Sequence, residues 1–144
     1  MVAVRIVRLV LRVAAAVGLA VDAGIHAKLA GQYDAVTATV SQGTLFRIEA
    51  GAAALAVVLV LAWRRRLGDL FAAVTAAAGI AAILLYRYVD VGKLGPLPNM
   101  YEPTWFPDKV WALVGQILAL VAVLPLCLFR PSRRVTRSAE PPSP

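Results

Sequence analysis

Two residues of opposite chemical character, Asp22 and His26, stand four positions apart in a run that is otherwise uncharged from Val13 to Ala27. On a helix this spacing puts both side chains on one face, within reach of each other. A carboxylate beside an imidazole can hold a proton, bind a cation or receive a polar headgroup. Other polar residues recur in comparable settings. Arg47 and Glu49 stand where a second apolar stretch begins, Arg87 and Asp90 where a third ends, and Gln116 lies inside a fourth. If each stretch is a helix, all four bring a polar group to a similar depth. Ionisable groups inside a span are costly and turn toward the interior or a wet cavity. The plainer expectation for Asp22, His26, Arg47, Glu49, Arg87, Asp90 and Gln116 is a structural network. In it Arg47 and Arg87 pair with Glu49, Asp22 or Asp90. The functional alternative is a polar pocket in which Asp22, His26 and Glu49 bind a cation, a proton or a polar headgroup.

Other chemistries find little to work with. His26 is the only histidine and Cys127 the only cysteine. Haem held by paired histidines, a disulfide and a C-x-x-C redox pair are therefore excluded, and a histidine-rich zinc site is not expected. A mixed metal site of Asp22, His26 and Glu49 is a minor alternative. No Gly-rich phosphate loop and no Ser/His/Asp arrangement appears. The pattern assigns no catalytic residue, no cofactor and no metal. Cys127 is expected to be a buried, inert thiol, with palmitoylation near the membrane surface as the alternative.

The elements that must position the polar residues follow from composition. The 144 residues are 60% hydrophobic with mean hydropathy +0.75, more apolar than an ordinary soluble domain. The apolar residues fall in blocks long enough to span a bilayer. Spans are expected at about residues 6–29, 45–63, 67–89 and 109–129, giving an all-α, integral membrane four-helix bundle in one domain, 1–130. The first block opens with Arg5, Arg8 and Arg12, whose long side chains can reach back to the headgroups. It could also pass for a signal peptide, but apolar character resumes after Asp22. Ser41-Gln42-Gly43-Thr44 reads as a turn and helix start. Arg64-Arg65-Arg66 closes the second block, and only a tight turn separates it from the third, with Asp69 near its start. Residues 91–108 carry Gly92, Gly95, Pro96, Pro98, Pro103 and Pro107, which forbid a continuous helix. Tyr101, Trp105, Phe106 and, just beyond, Trp111 are the residue types that anchor at the headgroups. Asp108 is expected to cap the fourth block, and Pro125 to kink its last turns. Residues 131–144 form a basic, Pro/Ser-rich tail expected to be disordered.

Charge fixes the expected orientation. With the N-terminus cytoplasmic, ten of the 15 basic residues fall inside, Arg64, Arg65 and Arg66 among them, while six of the eight acids fall outside. This obeys the positive-inside rule at every loop. The chain is thus read as up-down-up-down with both termini in the cytoplasm, at the cell membrane. The net charge of +7 belongs to this asymmetry, and nucleic acid is not an expected partner because no solvated, aromatic-interleaved basic surface exists.

Small residues recur at helical spacing: Ala50, Gly51 and Ala54; Ala72, Thr75, Ala76 and Gly79; Ala112, Gly115, Ala119 and Ala122. In lipid, close backbone approach replaces the hydrophobic drive between helices, so these faces pack within the chain or against a partner. Asp22-Ala23-Gly24-Ile25-His26, Gly43-Thr44-Leu45-Phe46 and Tyr101-Glu102-Pro103-Thr104-Trp105 through Lys109 resemble segments of small four-span actinobacterial membrane proteins of the DoxX-like set. The resemblance covers about residues 5–130. It implies the four-helix layout but no catalytic residues, since most members have no assigned function. The bilayer is the expected partner, together with other membrane subunits or further copies of the chain. The first functional expectation is a non-enzymatic accessory or scaffold subunit of an inner-membrane complex. The alternatives are a small transporter or ligand-binding protein using the polar cluster, and a membrane enzyme acting on a lipid or quinone.

Overall fold

The computed structural model describes residues 1–129, and the expected tail at 131–144 lies outside them. Within these residues the chain is all-α, with no strand. Helix α1 runs Val2–Ala30, α2 Gln42–Val58, α3 Arg66–Tyr88 and α4 Pro107–Leu128. A 3₁₀ turn, Gly31–Tyr33, follows α1, and α2 continues through a π-helical turn, Leu59–Trp63. Ser41 caps α2 by accepting a hydrogen bond from the Thr44 N–H at 3.0 Å, satisfying one of the orphan donors of the first turn.

Three helices, Gln42–Trp63, Arg66–Tyr88 and Pro107–Leu128, are long and apolar enough to cross a membrane. Most of that apolar surface is not used inside the chain: only 17%, 33% and 44% of their most apolar stretches, respectively, is buried. Ile48, Val74 and Val121 each leave about three-fifths or more of their surface outward. Exposing such a side chain to water costs about 1.5–3 kcal/mol relative to burying it, a cost that lipid removes. These helices suit a membrane-embedded protein. Helix α1, which carries Arg5, Arg8, Arg12, Asp22 and Lys28, is not among the three.

Helix α1 packs on α4 and α2, and α3 on α4 and α2, with the α2–α3 contact the slightest of the four. Polar ties define two ends. At the arginine end Arg8 donates to the carbonyl of Phe129 at 2.9 Å, and Arg12 reaches the α2–α3 turn. At the far end Lys28 meets Asp108 at 2.9 and 3.1 Å, and the Tyr33 hydroxyl donates to Glu102 at 2.8 Å. Where α1 crosses α4, Gly18 lies against the backbone of Gly115 and Ala119, so closely that any side chain at Gly18 would collide with the Gly115 carbonyl. Backbones that near are how helices hold together where lipid supplies no hydrophobic drive.

The small-residue faces divide. Ala72, Thr75, Ala76 and Gly79 of α3 and Ala112, Gly115, Ala119 and Ala122 of α4 are all buried within the chain. On α2, Gly51 and Ala54 face outward, and among the described residues nothing lies within 4 Å of a side chain placed at Gly51.

Two expectations are corrected. Arg12 does not reach back to the headgroups. It is 5% exposed, and its guanidinium grips both oxygens of Asp69 at 2.8 and 3.1 Å while donating to the Val60 carbonyl at 2.7 Å. A fork of donors facing a carboxylate inside the protein outcompetes the longer route to lipid phosphate. Asp108 does not cap α4. Phe106 occupies that position with no side-chain cap, Pro107 fills the first turn, and Asp108 is drawn to Lys28. Cys127 is buried and free.

Candidate functional site

At the far end, α1, α2, α3, the start of α4 and the loop before α4 enclose a cavity of about 420 Å³. Its walls are mostly aliphatic and aromatic: Ile25, Leu29, Leu45, Phe46, Ile83 and Tyr86 contribute side chains. The exposed members of the lining, Ile48, Ala78 and Ala82, lie on α2 and α3. The cavity therefore opens sideways between these two helices, where their mutual packing is slightest.

One wall is polar. Asp22 is wholly buried and uses a single oxygen, Oδ1, for two partners: the Gln116 amide donates to it at 2.7 Å, and His26 Nδ1 lies 2.8 Å away. A carboxylate only accepts, so Nδ1 carries the proton, and Nε2 is the nitrogen left for the cavity that His26 lines. Phe46 sets its ring edge-to-face on His26 at 5.1 Å between centroids, and Tyr33 leans on Phe46 at 5.0 Å. The Glu49 carboxyl of α2 lies near Asp22 and His26. Yet Asp22 Oδ2 and Glu49 Oε1 are both buried with no hydrogen-bond partner, as is the Gln116 carbonyl oxygen. Gly79 makes room for this arrangement, since a side chain there would strike the Gln116 amide. Bare buried oxygens of this kind call for an explanation, such as a proton or a ligand.

A second polar group closes the cavity from the loop. Tyr33 donates to Glu102, whose backbone N–H donates to the Tyr86 carbonyl at 2.9 Å. Lys109 donates to the carbonyls of Glu102 and Thr104 at 2.8 and 2.9 Å and lies 3.8 Å from the Glu102 carboxylate. Burial and the bond to Glu102 push the Tyr33 hydroxyl up to about 12. The loop is organised by Asp90, which accepts from the Gly92 N–H and from Asn99, with Gly92 and Gly95 at positive φ.

Of the seven polar residues expected together, the structure gathers four: Asp22, His26, Glu49 and Gln116. Arg47 is not with them. It forms a two-pronged pair with Asp34 at 2.7 Å on each prong, exposed at the surface, and holds the Asp34 carboxyl below its ordinary range. Arg87 pairs with no acid among the described residues. Its guanidinium lies over the rings of Tyr88 and Trp105 at 5.0 and 5.4 Å, and its Nε is buried without a partner. Asp90 is exposed and belongs to the loop. The expected network of Arg47 and Arg87 with Glu49, Asp22 or Asp90 is therefore not what forms. Nearer acids and rings take both arginines, and among the described residues Asp22 and Glu49 keep no basic neighbour except His26. Among the described residues no group of three or more His, Cys, Asp or Glu has the geometry to hold a metal ion.

The expected anchors also divide. Tyr101 and Trp111 are exposed, Trp105 shares its ring with Arg87, and Phe106 lines the cavity beneath Lys109. Tyr33, Phe46, Glu102 and Lys109 had no expected place in the site. Phe46 and Lys109 lie in the first turns of α2 and α4 and Tyr33 and Glu102 in connecting segments, and their convergence depends on how those segments fold over. No protein-family model, curated protein or solved structure matches the chain. The DoxX-like resemblance rests on its short motifs alone.

Proposed function

We propose that the chain is a four-helix integral membrane protein of the cell membrane, up-down-up-down with both termini cytoplasmic, that binds a small amphiphilic molecule from the outer leaflet. The arginine end supports the orientation, since Arg64, Arg65 and Arg66 cluster there and the acids gather at the other end. Helix α1 is 29 residues, or about 43 Å at the helical rise, long enough to span beside the other three. Its buried Arg12 and Asp22 are shielded by α3 and α4 rather than exposed to lipid. The observation that carries the function is the cavity itself. It opens sideways between two helices long and apolar enough to cross a membrane, its walls are apolar, and the bare Glu49 oxygen stands at one side. Such a pocket suits a molecule with an apolar body and one polar head, and its sideways mouth suits entry from lipid.

The test is direct. Purified in mild detergent, the protein is expected to retain a small molecule detectable by native mass spectrometry. Ala82→Trp, which fills the mouth, is expected to lower its occupancy at least tenfold without lowering the unfolding temperature. Equal occupancy in the filled variant overturns the reading.

A second reading, an accessory subunit of a larger membrane assembly, is favoured by one observation: Gly51 and Ala54 keep the small-residue face of α2 open to the outside. Identification of co-purifying proteins separates the two. Stoichiometric membrane partners, lost on Gly51→Leu, support the subunit.

A further inference from the structure

Charge around the cavity does not balance, and the imbalance specifies the ligand. The polar groups lining it are His26 from α1, Gln42 and Glu49 from α2, Tyr86 from α3, Lys109 from α4, and Tyr33 and Glu102 from the connecting segments; Asp22 and Gln116 are wholly buried beside them, behind the lining. Lys109 is committed to Glu102 and two carbonyls of the same loop. Arg47, Arg87 and Lys28 are committed to Asp34, to aromatic rings and to Asp108. Two carboxyls, Asp22 and Glu49, thus face each other with only an imidazole beside them. Each keeps one buried oxygen without a partner. Two adjacent carboxylates cannot both stay ionised in a site of low polarity. One proton shared by the pair relieves that conflict.

Resting on the outer-leaflet reading above, we infer that the cavity's ligand is a small lipophilic cation of the ammonium class, and that it exchanges for a proton held between Asp22 and Glu49. The exchange balances. The cation brings one positive charge to the pair, the shared O–H bond breaks, and the proton leaves to water. No covalent bond to the ligand forms. The lining fits such a guest. Phe46, Tyr33, Tyr86 and Phe106 present ring faces and edges around the space, and aromatic faces attract ammonium groups without demanding hydrogen bonds. The aliphatic wall from Ile25, Leu29, Leu45 and Ile83 takes the apolar part.

The experiment compares benzyltrimethylammonium with neopentylbenzene, its uncharged carbon isostere, on the purified full-length protein in weakly buffered detergent. Calorimetry and a pH electrode read binding and proton release. The expected result is saturable binding of the cation with release of about one proton, and affinity that falls roughly tenfold for each unit the pH is lowered where the pair is protonated. The isostere binds with no proton release and no pH dependence. Glu49→Gln, checked for an unchanged unfolding temperature, is expected to lose proton release and at least tenfold of the cation's affinity while keeping the isostere's. The pH dependence of the unaltered protein carries the test without any variant. Cation binding without proton release, or an isostere that binds as tightly as the cation, overturns this inference and leaves the cavity's amphiphile reading standing. Failure of both probes to bind, together with no co-purified molecule, overturns both.

Discussion

Asp22 satisfies two neighbours through one oxygen and leaves the other bare, and that asymmetry is what distinguishes the site from a saturated core network. Buried polar groups are costly when unpaired, so an arrangement that leaves oxygens of Asp22, Glu49 and Gln116 open in one place is a receptive one. Tyr33 offers an independent check at the same scale, because it lies outside the spans and seals the same cavity. Its hydroxyl is pushed up to about 12, first by burial and then by its bond to Glu102. A group raised in the folded state stabilises the fold fully below its unfolded value of 10.0 and loses that contribution as pH rises toward about 12. Ultraviolet titration is therefore expected to show a tyrosine ionising at about 12, a step absent in Tyr33→Phe. A Tyr33→Phe trace that still contains the late step contradicts the geometry. The pairing of Asp22 with His26 was legible in the sequence because it is local to one helix. Gln116 joins Asp22 across 94 residues, and no spacing pattern reports a contact of that separation. Arg47 was misread for a related reason: its partner, Asp34, lies in a linker whose path the residues alone do not specify.

Among the elements, the tie between α1 and the α2–α3 turn is as consequential as the site. Arg12 and Asp69 are buried, two-pronged and joined to the carbonyl of Val60 in the π-helical turn. The turn itself is tight: Arg64 takes a left-handed conformation, φ 53°, and its N–H closes the π turn on the Leu59 carbonyl at 3.0 Å. Breaking a buried pair leaves a charge with no partner, costing about 3–5 kcal/mol, whereas replacing both members with apolar residues is often neutral or favourable. Arg12→Met is accordingly expected to lose stability on that scale in denaturant titrations in detergent. Arg12→Met with Asp69→Leu is expected to recover most of it. A single variant as stable as the parent would show that the pair holds nothing together. The long apolar runs made the helices readable in advance, since a single run of that length satisfies its own backbone inside lipid only as a helix. The inner pair was hidden because an arginine near a span's start has two physically sound destinations, headgroup or acid, and only packing chooses between them.

Across the whole molecule, charge and cavity agree on a direction. Basic side chains cluster at the end holding Arg64, Arg65 and Arg66, while the polar wall, the aromatic loop and the cavity lie at the other. The account's central claim is that the cavity end faces the outside of the cell and the arginine turn faces the cytoplasm. Cys127, the only cysteine, makes one measurement decisive. In a Cys127→Ala background, Lys93→Cys in the loop and Arg65→Cys in the turn are treated in intact cells with a membrane-impermeant maleimide. The account predicts labelling at position 93 and none at 65 until the membrane is permeabilised; labelling at 65 in intact cells, with 93 protected, would contradict it.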